Sequence, residues 1–191
     1  FRCYLQESNR ANWLEIDKTG SDWPASIAAT GLALTSYPVG VERNLVSRAE
    51  AVERVLTTLR FFWHSKQGTE PDATGYNGFY YHFLDMQTGA RAWECELSTV
   101  DYALLFGGML TCAEYFERDT PDEHEIRELA EQLFARADWH WALNGGATVT
   151  HGWKPESGFL PFRWEGYDEA MWLYILALGS PTHPVGPAAW V

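Results

Sequence analysis

Cysteine is scarce in this chain, and its three cysteines suggest neither a disulfide framework nor a metal site. Cys3, Cys95 and Cys112 form an odd set with no paired spacing. The six histidines are scattered, with no H-x-x-x-H or C-x-x-C element. There is also no phosphate-cradling loop and no dinucleotide fingerprint. We therefore expect no metal and no cofactor.

Basic charge and long apolar runs are also lacking. Lys and Arg total 14 against 26 Asp and Glu, and the net charge of −12 argues against a nucleic-acid partner, although simple solubility would also explain it. No apolar run approaches the roughly 20 residues that span a bilayer, so no membrane partner is expected. The first residues lack the regions of a signal peptide, and any signal would precede Phe1. The location is left unknown, with a periplasmic or secreted one favoured over a cytoplasmic one.

Aromatic residues, by contrast, are abundant, with 10 Trp in 191 residues. Two glycine-punctuated stretches concentrate them, and each ends in carboxylates at the start of an apolar helix. Residues 75–101, the first aromatic loop, contain GFYYHFLD, and residues 152–170, the second aromatic loop, contain GWKPESGFLPFRWEGYDEA. Flat rings stack on pyranose faces and carboxylates act on glycosidic bonds, so this combination favours a sugar polymer as ligand.

Helical patterns dominate the rest of the chain. We predict apolar helices over 23–37, 97–116 and 168–179, and amphipathic helices over 44–63 and after a capping box with proline at 120–123. The apolar helices begin near Pro24, Leu97 and Asp168, 73 and 71 residues apart. Such a repeat of helix pairs builds solenoids or closed toroids. The sequence thus predicts an all-α fold with short β-hairpin loops in a single domain over 1–191, either the front part of a toroid or a compact helical domain.

The carboxylates of the two loops have two competing interpretations. Ser98-x-x-Asp101 resembles a capping box, and Asp168 and Glu169 suit the amino end of a helix electrostatically. Glu96, however, lies upstream of the cap and would project toward the same opening as the aromatic hairpin. The pattern alone leaves both interpretations open.

Further polar and aromatic candidates lie in the same loops. His82, Arg91, Lys154 and Arg163 could donate hydrogen bonds to hydroxyl groups, although each alone is more often a surface charge. The complete set of predicted substrate-binding residues is Glu96, Asp101, Tyr81, His82, Arg91, Trp153, Trp164 and Tyr167.

The motifs GFYYHFLD, ELSTVDYALL, GW-x-PE-x-GF, W-x-GYDEA and GSPTHP resemble the bacterial glucoamylase-like family. That family includes endo-β-1,2-glucanases, and a related domain occurs in cyclic β-1,2-glucan synthases. The resemblance covers most of the chain from about Ser26 onward. It implies a six-hairpin α/α toroid of which this chain is about half, truncated at both ends.

The resemblance also implies a reaction. It makes the chain part of an inverting glycoside hydrolase for a β-glucan, most simply β-1,2-glucan, working as a monomer on an oligo- or polysaccharide. Glu169, in GYDEA, would be the general acid, and Glu96 and Asp101 would hold hydroxyls. The base would lie in the missing half, so the isolated chain is expected to be inactive.

Three other functions stay open at this point. A toroidal phosphorolytic enzyme would use phosphate in place of water. A non-catalytic glycan-binding module would use the same rings and carboxylates without cleavage. A helical interaction scaffold fits less well, because it gives no role to loop aromatics paired with acids.

Overall fold

The computed structural model describes residues 2–20, 22–166 and 168–190, without the side chains of residues 2 and 3. Its regular structure is mainly helical, as the sequence predicts. They are α1 (Arg2–Gln6), α2 (Ile27–Glu42), α3 (Arg48–His64), α4 (Thr99–Tyr115), α5 (Pro121–Arg136), α6 (Trp139–Ala142), α7 (Ala170–Gly179) and a 3₁₀ turn at Pro187–Ala189.

The long helices form an inner and an outer row. In the inner row α2 packs on α4 and α4 packs on α7, whereas α3 and α5 pack on each other and on the inner helices. The inner helices are apolar around most of their circumference, and the outer ones carry a single apolar stripe, the pattern expected for a covered and a solvated layer. The inner helices begin at Ile27, Thr99 and Ala170, 72 and 71 residues apart, which confirms the predicted alternation and its period.

Two glycines let α2 and α4 approach closely. A Cβ at Gly31 would lie 2.4 Å from the backbone oxygen of Leu104, and one at Gly108 would lie 2.2 Å from that of Gly31. Neither distance is sterically possible, so only glycine fits at this crossing. The inner row is therefore held together by backbone-to-backbone packing.

Helices α2 and α3 each begin four residues later than predicted, because a serine sets each start. Ser26 caps α2 by accepting from the Ala29 amide, which leaves Pro24 outside the helix instead of in its first turn. Ser47 caps α3 in the same way. Asn44, the predicted first residue of α3, has a φ of +55° and cannot be helical.

The predicted capping box of α5 is half formed. Thr120 accepts from the Glu123 amide, with Pro121 in the first turn as predicted. The Glu123 carboxylate does not return to Thr120. It accepts from Arg48 on α3 at 2.8 and 2.7 Å and from the Arg118 amide at 2.8 Å. The Glu123 carboxylate thus links the outer helices α3 and α5, and the residue also lies in the first turn of α5.

Short strands lie immediately before two of the inner helices. They are β1 (Ala25–Ser26), β2 (Gly75–Tyr76), β3 (Phe79–Tyr80), β4 (Phe83–Leu84), β5 (Leu97–Ser98), β6 (Gly152–Lys154) and β7 (Gly158–Phe159). All pairings are antiparallel: β1 with β4, β2 with β3, and β5 with β6 and then β7. Because β1 and β5 lead directly into α2 and α4, the two aromatic loops gather at the amino ends of the inner helices.

Helix α7 differs from the buried helix that its sequence predicts. One face packs on α4, but Met171, Trp172, Ile175 and Leu178 are 39–52% exposed. An apolar helix stays buried only where partners cover every side, and the described residues cover one side of α7. No helix in the described part of the chain combines the length and the apolar character needed to cross a membrane.

Candidate active site

Backbone hydrogen bonds join the loops at the amino ends of α2 and α4. The first amide of α2, Ile27, donates to the His82 carbonyl at 3.1 Å, and the His82 amide donates to the Glu96 carbonyl at 2.9 Å. The Thr99 amide, at the start of α4, donates to the His151 carbonyl at 3.3 Å. The bonds from Ile27 and Thr99 occupy amides that a helix leaves without intrahelical partners. Together with the bond between His82 and Glu96, they fix these two residues against the scaffold.

His82, Glu96 and Asp101 form one cluster at this end. His82 Nδ1 lies 2.9 Å from Glu96 Oε1, and its Nε2 lies 3.6 Å from Asp101 Oδ2. The Ser98 hydroxyl donates to the same Asp101 oxygen, while its own oxygen accepts from the Asp101 amide. Asp101 therefore takes part in the helix cap, as the capping interpretation predicts, and also faces the imidazole.

The cluster is partly open and electrostatically coupled. The three side chains are 17–28% exposed. Burial alone would lower the pKa of His82, but its hydrogen bond to Glu96 and the charges of Asp101 and Asp17 raise it above its ordinary value. The His82 hydrogen bond outweighs burial and lowers the pKa of Glu96, with help from Lys154. The His82 ring between two carboxylates fixes their geometry and leaves oxygens that can accept from hydroxyl groups.

The second aromatic loop places its acids differently. Asp168 Oδ1 accepts from the Ala170 amide at 2.8 Å, as the capping interpretation predicts. Glu169 precedes α7, is exposed, and makes no side-chain cap hydrogen bond. Because Asp168 satisfies the helix end, the Glu169 carboxylate is available to another group.

Two contacts hold the acid-bearing helix starts side by side. Trp164 Nε1 donates to the Thr99 hydroxyl at 3.1 Å, and Trp172 Nε1 donates to the Ala103 carbonyl at 3.0 Å. The first joins the second aromatic loop to the start of α4, and the second joins the first turn of α7 to α4. Asp101 and Glu169 therefore lie near the starts of two helices that these contacts hold together.

Trp153 and Trp164 are half-buried at the same end. Trp153 stacks on Tyr76 at 4.8 Å between ring centroids, and Trp164 stacks on His151 at 3.9 Å. Each ring thus keeps part of its surface open while the rest packs within the protein.

Three predicted residues occupy other places. Tyr81 is completely buried, so it belongs to the core and not to an open surface. Arg91 has a side chain only 5% exposed, and it donates to the Cys95 and Glu94 carbonyls and to both oxygens of Glu156. Its guanidinium therefore binds its own loop. Tyr167 lies outside the described residues.

Sequence reasoning missed an aromatic corner formed by Trp23 and Trp93. The two rings meet edge to face at 4.8 Å and line a cavity of about 580 Å³. Exposed tryptophan in a turn without glycine is the signal that could have found Trp93. Among the described residues, no group of three or more His, Cys, Asp or Glu is arranged to hold a metal ion.

One family model matches part of this chain, and individual known proteins resemble it along nearly all of its length. The Glycoamylase family model, described as "Putative glucoamylase", matches residues 161–191. A curated relative from Parabacteroides distasonis, an exo β-1,2-glucooligosaccharide sophorohydrolase acting at the non-reducing end, is 25% identical over 98% of this chain. The chain spans 26% of that relative's length.

Solved structures match the fold over the same span. A crystal structure from Bacteroides uniformis, whose protein has the same description as the family model, superposes with a TM-score of 0.88 at 26% identity over 98% of this chain. A β-1,2-glucanase from Parabacteroides distasonis gives a TM-score of 0.88 at 23% identity, also over 98% of the chain. The chain covers 46% and 27% of those two proteins. These matches confirm the resemblance that the motifs indicate: the chain is similar to the glucoamylase-like family, in fold over 98% of its length and in the family model over residues 161–191.

Proposed function

We propose that this chain supplies part of a glycoside hydrolase for a β-glucan, with β-1,2-glucan as the substrate. The observation that carries the proposal is the placement of two acid-bearing loops at the starts of α4 and α7, held together through Trp164 and Trp172. Similarity over 98% of the chain to a protein named for hydrolysis of β-1,2-glucooligosaccharides supports the choice of linkage.

The proposed architecture is an α/α toroid in which α2, α4 and α7 are successive inner helices. Their regular spacing, the outer helices α3 and α5, and the clustering of loops at one end support this arrangement. A toroid places these inner-helix starts around a common cleft, where a polysaccharide would lie across several of them.

Within that cleft, Glu169 is the proposed general acid. Its exposed carboxyl can donate a proton to the leaving oxygen, because the neighbouring Asp168 already serves the helix end. Glu96 and Asp101 are proposed to bind hydroxyls, since His82 and Ser98 fix their orientation. The mechanism is proposed to be inverting, with a base from outside these 191 residues, about 6.5–9.5 Å from the acid as such catalysis requires.

Product analysis on glucans of different linkage tests the proposal. Any longer polypeptide that contains this chain should release oligosaccharides from β-1,2-glucan, without dependence on phosphate. Dependence on phosphate would instead indicate phosphorolysis. Binding without products would identify a glycan-binding module.

The position of the base is tested by the chain itself. Expressed alone, the 191 residues should turn over β-1,2-glucan barely or not at all, because the acid is present and the base is not. Circular dichroism must show the helical fold in the same sample. Robust turnover by the isolated chain would place the base within it and overturn that part of the proposal.

A further inference from the structure

A cavity of about 580 Å³ opens beside the carboxylate cluster, between the segment before α2 and the turn after β4. Its volume falls in the range of about 300–1,000 Å³ that is typical of small-ligand sites. The wall combines the indoles of Trp23 and Trp93 with the polar side chains of Asp22, Asp85 and Gln87. Flat apolar rings together with oxygen and amide groups suit a pyranose, which has an apolar face and polar edges.

Trp93 is exposed in a way that folding alone does not favour. Its side chain is 56% exposed, although burial of an indole is strongly favourable. Its ring centroid lies 4.8 Å from that of Trp23 and 5.2 Å from that of Phe83. One edge of the indole is thus anchored while much of the ring stays open.

The backbone that carries Trp93 is strained. Trp93 and the next residue, Glu94, have φ values of +56° and +50°, and the Cys95 amide closes the turn on the Ala92 carbonyl at 3.1 Å. Turns with two such positions normally use Asn and Gly, because other residues are destabilised in the left-handed region. Strain of this kind persists where surrounding contacts enforce it, and it clusters at ligand sites.

Arg91 supplies those contacts. Its Nε donates to the Cys95 carbonyl at 2.6 Å, its Nη2 donates to the Glu94 carbonyl at 2.7 Å, and Glu156 of the second aromatic loop binds the other side of the guanidinium. These hydrogen bonds therefore hold the turn in place, with Trp93 exposed to solvent. A single buried arginine connects both aromatic loops to the position of this ring.

Phe83 connects the carboxylate cluster to the wall of the cavity. His82 stacks on Phe83 at 3.9 Å, Phe83 contacts Trp93, and the Ala92 amide donates to the Phe83 carbonyl at 2.9 Å. Glu96 follows the turn after one intervening residue. A sugar chain bound at Glu96 could therefore extend toward Trp93.

We propose that this cavity is an additional glucosyl subsite, in which Trp93 stacks on a pyranose ring of a chain that also contacts the carboxylate cluster. The proposal rests on the proposed glycan function. It assigns to Arg91 the role of a positioning residue for Trp93.

Two glycine variants distinguish the effect of the Trp93 indole on binding from the effect of backbone strain in the turn. Trp93→Gly and Glu94→Gly each relieve one left-handed residue of the same turn, but only the first removes the indole. Calorimetric titration with linear β-1,2-gluco-oligosaccharides, from the disaccharide upward, should show unchanged binding for Glu94→Gly. For Trp93→Gly, the affinity for the longer oligosaccharides should fall about tenfold, with little change for the disaccharide. Trp93→Tyr should retain most of the affinity and guards against misfolding of the glycine variant.

The outcomes distinguish the subsite from the function. Equal affinity of wild type and Trp93→Gly for long oligosaccharides, or an equal loss for the disaccharide, would overturn the subsite and leave the hydrolase proposal standing. If the protein binds only glucans of another linkage, and that binding depends on Trp93, the subsite would be supported and the β-1,2 assignment would be overturned. Failure of the wild type to bind either β-1,2-gluco-oligosaccharides or glucans of other linkages in the same titration would overturn both.

Discussion

The two aromatic loops look alike in sequence and differ in what they do in the structure. In the first, Phe79, Tyr80 and Tyr81 are at most 1% exposed and form part of the core. In the second, Trp153, Phe159 and Trp164 are half-buried, and Phe162 is 65% exposed. The aromatic hairpin of the first loop is therefore part of the scaffold, whereas the second loop and Trp93 of the first present surface.

Their acids differ in the same direction. Glu96 and Asp101 are held by His82 and Ser98, whereas Glu169 is exposed beside a helix end that Asp168 already satisfies. A carboxylate that is fixed by neighbours suits the binding of hydroxyls, because little ordering remains to be done. An acid that donates a proton to substrate must be reachable by the leaving group.

Replacing a carboxyl group with an amide should separate hydroxyl binding from proton donation. Of all the variants, we expect these to have the largest effect. In a polypeptide that contains the chain and hydrolyses glucan, Glu169→Gln should lower kcat by about 100- to 10,000-fold, because an amide cannot act as general acid. Glu96→Gln should mainly weaken binding, by roughly tenfold, through loss of a charged hydrogen-bond acceptor. Steady-state kinetics and calorimetry check both.

Glu165→Gln is the matched control, since Glu165 is an exposed acid of the same loop, 3.3 Å from the Thr148 hydroxyl. It should leave kcat and binding nearly unchanged. Loss of kcat in Glu96→Gln equal to that in Glu169→Gln would erase the distinction between a binding acid and a reacting one.

The hairpin glycines should show the same contrast in stability. Gly78 and Gly158 both have positive φ, +83° and +78°. A Cβ at Gly78 would lie 2.2 Å from the Arg136 carbonyl oxygen, whereas nothing lies within 4 Å of one at Gly158. Gly78→Ala should therefore lower the free energy of unfolding by about 2–4 kcal/mol, and Gly158→Ala by about 1 kcal/mol. Urea unfolding measures both, and similar losses would contradict the assignment of the first loop to the scaffold.

Local patterns explain why the helices could be predicted. Apolar periodicity marks the inner and outer rows, and Thr120-Pro121 marks the start of α5 within one residue. The starts of α2 and α3 were placed too early because apolar residues continue upstream of the capping serines. Ala25 and Ser26 instead form the strand that pairs with the first aromatic loop, and only the folded chain provides that partner.

The sequence could not show which side chains are buried or which residues distant in the chain they contact. Tyr81 sits beside glycine-rich turns like a surface aromatic, but the ring is covered by Arg91, 4.7 Å from its centroid. Arg91 in turn is bound by Glu156, 65 residues further along. The sequence predicts His82, Glu96 and Asp101 only as separate residues, because the geometry of their cluster depends on the antiparallel bridge between Tyr81 and Leu97 and on the fold of the intervening turn.

The smallest expected effect concerns the pair formed by His82 and Glu96 in the first loop, whose contribution to the free energy of unfolding depends on pH. The pKa of His82 is raised above 6.5, so its contribution to stability is complete below pH 6.5 and is lost as the pH rises through the raised value. The pKa of Glu96 is lowered below 4.5, so its contribution is present above pH 4.5 and is lost as the pH falls through the lowered value. The pair is therefore most stabilising between about pH 4.5 and 6.5.

His82→Gln should consequently lower the free energy of unfolding by roughly 1 kcal/mol near pH 5.5, and by less near pH 9, because the cation is then gone from the wild type as well. His124→Gln is the control: its ring lies 3.3 Å from Glu128 on α5, but both side chains are more than half exposed, so the loss should be near zero at either pH. Urea titrations of the three proteins at both pH values give the comparison. A loss for His82→Gln that does not change with pH would mean that the imidazole acts by packing on Phe83 alone, and that the acids of the first loop are no more fixed by charge than those of the second.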